Sequence, residues 1–161
     1  PLRACPQNMG RLVPIALPPG ELVPLLLGRP PVLIGEDGAG GPGATLAWDA
    51  DRAAYRVRIV QAPTGLRQDV WVQPGSWRIL ATVLYRGGER VASVAYGQLD
   101  ALGPAGPPTL LRMQTARPKI DLSLELRDVT LDASIEPDAF TPPCPLGMRA
   151  VELPCAATRG R

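Results

Sequence analysis

The sequence predicts an all-β fold, an antiparallel β-sandwich with a proline-rich N-terminal arm. The 161 residues include 20 Pro and 17 Gly, a composition that favours strands and loops over helices. Apolar and polar residues alternate through the middle of the chain, as they do in half-buried strands, and no stretch has a helical period. With turn signals about every ten residues, the chain is expected to form seven to nine short strands, enough for a sandwich.

The first 31 residues are predicted to form an arm or a pair of edge strands. Two apolar runs, at 12–17 and 22–27, lie among prolines, and Pro cannot donate to a sheet ladder. Such runs can cover an edge of their own sheet or complete the sheet of a neighbouring copy. The residues expected to make that assembly contact are Leu12, Val13, Ile15, Leu17, Leu22, Val23 and Leu25.

The sandwich core is predicted to span residues 32–136. Its first clear strand carries Tyr55, Val57 and Ile59, which alternate with arginines in the pattern of a half-buried strand. A glycine-rich loop at 35–43 precedes this strand. Shorter strands are expected at 31–34 and 69–73.

A β-hairpin is predicted around Gly87-Gly88, because a two-residue turn of this kind needs positive φ angles. The predicted register places Ala81 opposite Val94, and Arg86 opposite Glu89 as a favourable charge pair. Both faces of the hairpin are fairly apolar, which indicates a central position in the core.

The segment after Lys119 alternates over two runs, 120–126 and 129–135, whose phases differ by one residue. Two interpretations stay open: a tight turn at 127–128, or a β-bulge within one long strand. Both place the apolar residues of the two runs on one face. The tail, 137–161, is expected to be irregular, with a short strand near 149–153.

The segment VWVQPGSWRILATVLYRGG, at residues 70–88, resembles a strand–PG–strand pattern common in immunoglobulin-like and transthyretin-like sandwich modules. The resemblance implies a fold and no function, because such modules serve many unrelated roles.

Three cysteines are present. A disulfide between Cys144 and Cys155 is expected, because only a short loop separates them and each directly follows a proline. That bridge would contribute about 3 kcal/mol in the chain-entropy model. A bridge from Cys5 to either residue, or three free thiols, are the alternatives. Because the chain has no histidine, three cysteines fall one ligand short of a closed zinc site. No metal or cofactor is therefore predicted.

Several function classes are disfavoured. Without histidine the usual general base is missing, so the chain is predicted not to be an enzyme. A net charge of +2 is too small for a nucleic-acid surface. The apolar region 12–34 is too broken by prolines to span a membrane. Gly38, Gly40 and Gly43 match G-x-G-x-x-G, but no helical pattern follows them, which indicates a surface loop.

Three tryptophans, Trp48, Trp71 and Trp77, can form either core contacts or a platform that stacks on sugars. Core or interface contacts are the favoured interpretation. In the alternative, Trp71 is the outward-pointing platform residue, because it alternates with Val70 and Val72.

These observations predict a non-catalytic structural subunit of an extracellular assembly, such as a pilus-like filament, a surface layer or a virion component. Its partners would be copies of itself or other envelope or virion proteins, joined by β-edge complementation. The alternative is a secreted module that binds carbohydrate or protein.

Overall fold

One helix and seven strands make up the described part of the chain. The computed structural model describes residues 19–33, 43–61, 64–139, 143–144 and 146–148. The helix is α1 (Pro19–Leu26), and the strands are β1 (Thr45–Asp49), β2 (Ala54–Gln61), β3 (Leu66–Val72), β4 (Ile79–Arg86), β5 (Glu89–Gly97), β6 (Leu110–Thr115) and β7 (Ile120–Glu125). Val23–Arg127 form one compact unit, and the two ends of the chain are assigned to another.

The seven strands form a single antiparallel sheet in which each strand pairs with the next along the chain. The predicted all-β class and antiparallel pairing are thereby confirmed. The sandwich is not confirmed, because every strand in the described ranges belongs to this one sheet. β1 and β7 are its two edges.

The strand register gives the sheet one apolar face and one polar face, since side chains of paired residues share a face. Along one line across the apolar face lie Val57, Val70, Thr82, Val94 and Met113, each paired with the next. Val70, Val94 and Met113 are buried. The apolar face therefore carries much of the core.

The polar face carries an ion-paired cluster. Arg58 donates two hydrogen bonds to the buried Asp69, at 2.8 and 3.2 Å. Arg67 lies 3.8 Å from the same carboxylate, and its guanidinium stacks 3.9 Å from the Tyr85 ring centroid. The hydrogen bond and charge of Asp69 raise the pKa of Arg58. Arg58 and Arg67 are thus held by other side chains of the sheet.

Residues 25–33, from the end of α1 to the end of the first described range, are held against the apolar face. Tyr96 donates from its hydroxyl to the Leu25 carbonyl at 2.8 Å, and burial raises the pKa of that hydroxyl, which keeps its proton. Gln68 accepts a hydrogen bond from Leu33 N at 2.7 Å and donates to the Pro31 carbonyl at 2.9 Å. These bonds satisfy backbone groups that no strand pairs.

The prediction of an extended run at 22–27 is wrong, because most of this run lies in α1. Gly28 takes φ = 81°, the left-handed conformation that ends many helices. Pro24 lies inside the helix and removes the one hydrogen bond that a backbone N–H at this position would donate. Leu25 is 1% exposed, so tertiary burial stabilises the helix despite its proline.

The outcome differs among the seven residues predicted to make the assembly contact. Leu25 is buried, Leu22 is half-buried, and Val23 is exposed on α1. The other four, Leu12, Val13, Ile15 and Leu17, lie outside the described residues. The strand predicted at 31–34 is wrong for its described part, because residues 31–33 lie outside any strand.

The hairpin about Gly87-Gly88 is confirmed, and Arg86 pairs with Glu89 as predicted. Beyond the turn the predicted register is wrong by one residue. Ala81 pairs with Ala95, not with Val94, because the register shifts between Leu84 and Tyr85. This irregularity moves the whole far part of β5 by one position, which exchanges the faces of its side chains.

The second half of the run predicted at 120–135 is not a strand. β7 ends at Glu125, and both Asp128 and Asp132 take φ = 53°, which interrupts extended backbone. Leu131 and Ile135 are 50% and 62% exposed. The apolar residues after position 128 therefore do not continue the sheet. The strand predicted near 149–153 lies outside the described residues.

Candidate binding surface at the β1 edge

β1 is an edge strand with large apolar side chains in solvent. Among the described strands it pairs with β2 alone. Leu46 and Trp48 are 67% and 54% exposed, and both lie on the apolar face because they pair with Val57 and Tyr55. The side of β1 away from β2 presents backbone groups that none of the described strands pairs.

Three rings form an aromatic cluster beside this edge: Trp48, Tyr55 and Trp77. The Trp48 ring meets Tyr55 edge-on, with centroids 5.3 Å apart and planes at 75°. The Trp77 ring stacks on Tyr55 at 5.9 Å with planes only 10° apart. Trp77 is 68% exposed. The cluster therefore joins the exposed apolar surface of β1 to the turn between β3 and β4.

Trp77 is held in an unfavourable backbone conformation. Its φ is 58°, in the left-handed region, which costs an L-residue about 1–2 kcal/mol. Two backbone hydrogen bonds close the turn: Trp77 N donates to the Gln73 carbonyl at 3.0 Å, and Gln73 N donates to the Arg78 carbonyl at 2.8 Å. The fold thus keeps a large, exposed indole at a position where glycine is easier to accommodate.

Trp71 lies elsewhere: it makes the core contacts that the sequence favoured, and the alternative in which it points outward is wrong. It is 6% exposed on the polar face, and its indole donates a hydrogen bond to the Asp49 carboxylate at 2.7 Å. The Arg52 guanidinium covers the ring at 4.2 Å from its centroid. Ala54 and Ala81, both buried, pack with it. Trp71 therefore fills a core cluster and cannot stack on a ligand.

The bond between Asp49 and Trp71 fixes the end of β1. Asp49 is the last residue of β1, and Trp71 lies in β3, so the bond passes over β2. Asp49 also accepts a hydrogen bond from Arg52 N at 3.2 Å. The hydrogen bond from Trp71 is the largest influence on Asp49 and lowers its pKa. The exposed edge is thus anchored to the core at one end.

A cleft of about 420 Å³ lies beside Trp77. It is lined by parts of 27–29, 76–79 and 99–108. Arg78 forms part of its wall, but its guanidinium donates to Asp100 at 3.1 Å and to the Gly106 carbonyl at 2.8 Å. These bonds hold the loop between β5 and β6, so Arg78 has a structural role in the cleft.

The cysteine prediction stays open. Cys144 is exposed, and its thiol lies 3.3 Å from the Met148 carbonyl. Cys5 and Cys155 lie outside the described residues, so the pairing of Cys144 stays a prediction.

Two features of the described residues bear on the kind of site. They contain no group of three or more Cys, His, Asp or Glu placed to hold a metal ion. No helix in the described part of the chain has the length and apolar character needed to cross a membrane.

The strand that carries Leu46 and Trp48 could have been found from the sequence. Leu46 and Trp48 alternate with Thr45, Ala47 and Asp49, which is a short strand pattern. Alternation alone, however, cannot tell which of the three tryptophans is covered, because Trp48 and Trp71 both lie in alternating segments.

Comparisons with known proteins give no family. No family model and no curated protein matches the chain. Among solved structures, the chain is similar to a domain described as an outer membrane lipoprotein-sorting protein from Vibrio parahaemolyticus. The two share 14% identity at a TM-score of 0.43, over 62% of this chain and 45% of that one. The chain thus spans less than half the length of that domain, and no function follows from a likeness of this size.

Proposed function

We propose that this protein is a non-catalytic structural subunit of an assembly, and that it joins its neighbours through the edge of β1. The observation that carries the proposal is the exposure of Leu46 and Trp48 on an edge strand. Exposed apolar side chains beside unpaired backbone groups favour pairing with another strand.

The composition of β1 supports the same proposal. Proteins usually protect sheet edges with lysine, proline, bulges or inward-pointing charges. The sequence of β1, TLAWD, contains neither lysine nor proline, and its register with β2 runs without a bulge. Its single charge, Asp49, lies at the last position and is bonded to Trp71. Apart from this terminal charge, β1 carries none of the features that protect sheet edges.

The expected setting is extracellular, at the cell surface or in a virion, with copies of the chain or other envelope proteins as partners. This setting is proposed from the sequence, chiefly from the proline-flanked Cys144 and Cys155. The immunoglobulin-like sandwich is part of the same proposal. A sandwich module that exchanges strands has unpaired sheet edges to which a neighbour's strand can add.

Self-association of the purified protein tests the proposal. Light scattering after size-exclusion chromatography, over a hundredfold range of concentration, is expected to show oligomers. The variant Leu46→Glu is expected to weaken association at least tenfold, since it places a charge in the apolar contact. The matched control is Leu131→Glu, at a leucine 50% exposed outside the sheet, which should associate like the wild type. A strictly monomeric wild-type protein at millimolar concentration would rule out self-assembly.

A second function is favoured by the aromatic cluster. Trp48 and Trp77, 54% and 68% exposed, flank Tyr55, and exposed rings so placed suit stacking on the apolar face of a sugar. The protein would then be a secreted binding module. Screening on a glycan array should give binding that Trp77→Ala reduces at least tenfold, with no effect on self-association. Absence of binding to any sugar would remove the carbohydrate form of this alternative.

A further inference from the structure

The strand β1 has a sequence that can pair with itself. Two copies related by a twofold axis make an isologous contact, in which each residue meets its counterpart across the axis. With the axis at Ala47, the centre of β1, an antiparallel pair sets Leu46 opposite Trp48 of the second copy. The same pair sets Thr45 opposite Asp49 of that copy. All five residues of the strand then have partners.

We propose that two copies of this chain pair their β1 strands antiparallel about Ala47, and this proposal rests on the edge association proposed above. The pairing creates two leucine–tryptophan cross-strand contacts on the apolar face. Aromatic and aliphatic side chains at directly opposed positions stabilise antiparallel pairs. Since Leu46 and Trp48 are 67% and 54% exposed in the single chain, both would gain burial.

The two faces of the sheet limit the possible registers. A twofold axis perpendicular to the sheet keeps the apolar faces of both copies on the same side. The axis must then pass through a residue, because an axis between two residues would oppose side chains from different faces. An axis at Leu46 or at Trp48 leaves part of β1 unpaired, and the axis at Trp48 also opposes two bulky indoles. Ala47 is the position that uses the whole strand.

The residues that this pairing opposes on the polar face are also compatible with each other. Thr45 is exposed and carries a hydroxyl that can donate to a carboxylate. Asp49 keeps its bonds to Trp71 and Arg52, and its oxygens retain lone pairs for another donor. At the axis the opposed residues are two alanines, which bring no charge and little bulk. Like charges are therefore not opposed anywhere along the strand pair.

Cysteine cross-linking reports the register directly. In the proposed pair the two Ala47 Cβ atoms lie about 4.5–5.5 Å apart, close to disulfide distance. The variant Ala47→Cys, mildly oxidised in the full chain, is expected to form at least ten times more covalent dimer than Thr45→Cys. The two Thr45 residues are four positions out of register, which separates them by about 13 Å. Oxidised wild-type protein gives the background from the native cysteines.

The outcomes separate this proposal from the one on which it rests. If reduced wild-type protein self-associates but Ala47→Cys forms no more covalent dimer than Thr45→Cys, the register is overturned and edge association stands. If mass spectrometry of the Ala47→Cys variant finds the introduced thiol joined to native Cys5, the N-terminal segment of the same or another copy occupies the edge, which also overturns self-pairing. If the reduced protein is monomeric at every concentration, self-pairing and edge association between copies both fail.

Discussion

The two edges of the sheet differ in how they meet solvent. On β1, Leu46 and Trp48 are exposed beside a backbone edge without lysine or proline. On β7 the apolar residues are half-buried, and the positions between them hold Asp121, Ser123 and Glu125. Asp121 accepts two hydrogen bonds from Arg112, at 2.9 and 2.6 Å. One edge thus carries charged side chains that disfavour an added strand, and the other carries exposed apolar side chains.

This difference shows where the sheet can grow. Exposed charges on an edge oppose the addition of another strand, whereas an exposed apolar edge favours it. Because a twofold contact at β1 closes on itself, it gives a dimer and not a filament. A larger assembly would then need a second contact elsewhere on the chain.

The largest expected effect comes from releasing β1 from the core. Trp71→Ala removes a buried indole and the hydrogen bond to Asp49, and is expected to destabilise the protein by about 3–5 kcal/mol. Urea unfolding followed by circular dichroism measures the loss. Trp71→Phe, which keeps the ring packing but not the N–H, should lose less. A loss below about 1 kcal/mol for Trp71→Ala would contradict the anchoring role.

The sequence predicts which residues share a face of the sheet better than it predicts how many sheets the strands form. The alternation of Tyr55, Val57 and Ile59 correctly places one face of β2, and Gly87-Gly88 correctly places a hairpin. α1 was missed because its helical state depends on the burial of Leu25 against residues far away in the chain. β1 and β6 were not predicted, although both alternate, since each is short and follows a Pro-Gly loop.

The candidate surface was harder to predict than the fold. Alternation with its flanking valines selects Trp71 as the tryptophan that would face outward, but β3 is covered on both faces, so alternation does not distinguish inside from outside. The one-residue shift after Leu84 depends on a bulge, and bulges have no simple sequence signal.

A smaller effect is expected from placing a charged side chain within β1, as β7 has. Ala47→Glu places a carboxylate opposite Arg56 within the same chain, so the fold should keep its stability. Across the proposed dimer the same change opposes two carboxylates, and association should weaken about tenfold or more, which corresponds to about 1.4 kcal/mol. Sedimentation velocity at several concentrations measures the change.

The matched control is Val60→Glu, on the same face of the neighbouring strand at a position 44% exposed. It should leave the dimer unchanged, because Val60 does not lie on the edge. Equal weakening by both variants would mean that total charge, and not the β1 edge, controls association.

Replacing the strained tryptophan should change stability little. Trp77→Gly relieves the left-handed backbone at φ = 58° and loses the stacking on Tyr55, two effects of about 1 kcal/mol and opposite sign. Thermal unfolding should therefore move by only a few degrees, while any ligand binding at the aromatic cluster is lost. A large loss of stability would show that the Trp77 indole supports the fold and is not kept for binding.

The smallest effect is expected at the closed edge, in acid. The Arg112 hydrogen bonds are the largest cause that lowers the pKa of Asp121, to about 2. A lowered pKa in the folded state stabilises the protein above the usual aspartate pKa of about 4, and this contribution is lost as the pH falls towards 2. Asp121→Asn should therefore be slightly less stable than the wild type at pH 6, and the difference should vanish near pH 2. Because the pair is exposed, salt should reduce the difference as well.

Thermal unfolding of both proteins from pH 2 to pH 7 checks this, and a difference that grows in acid would contradict the role assigned to the ion pair.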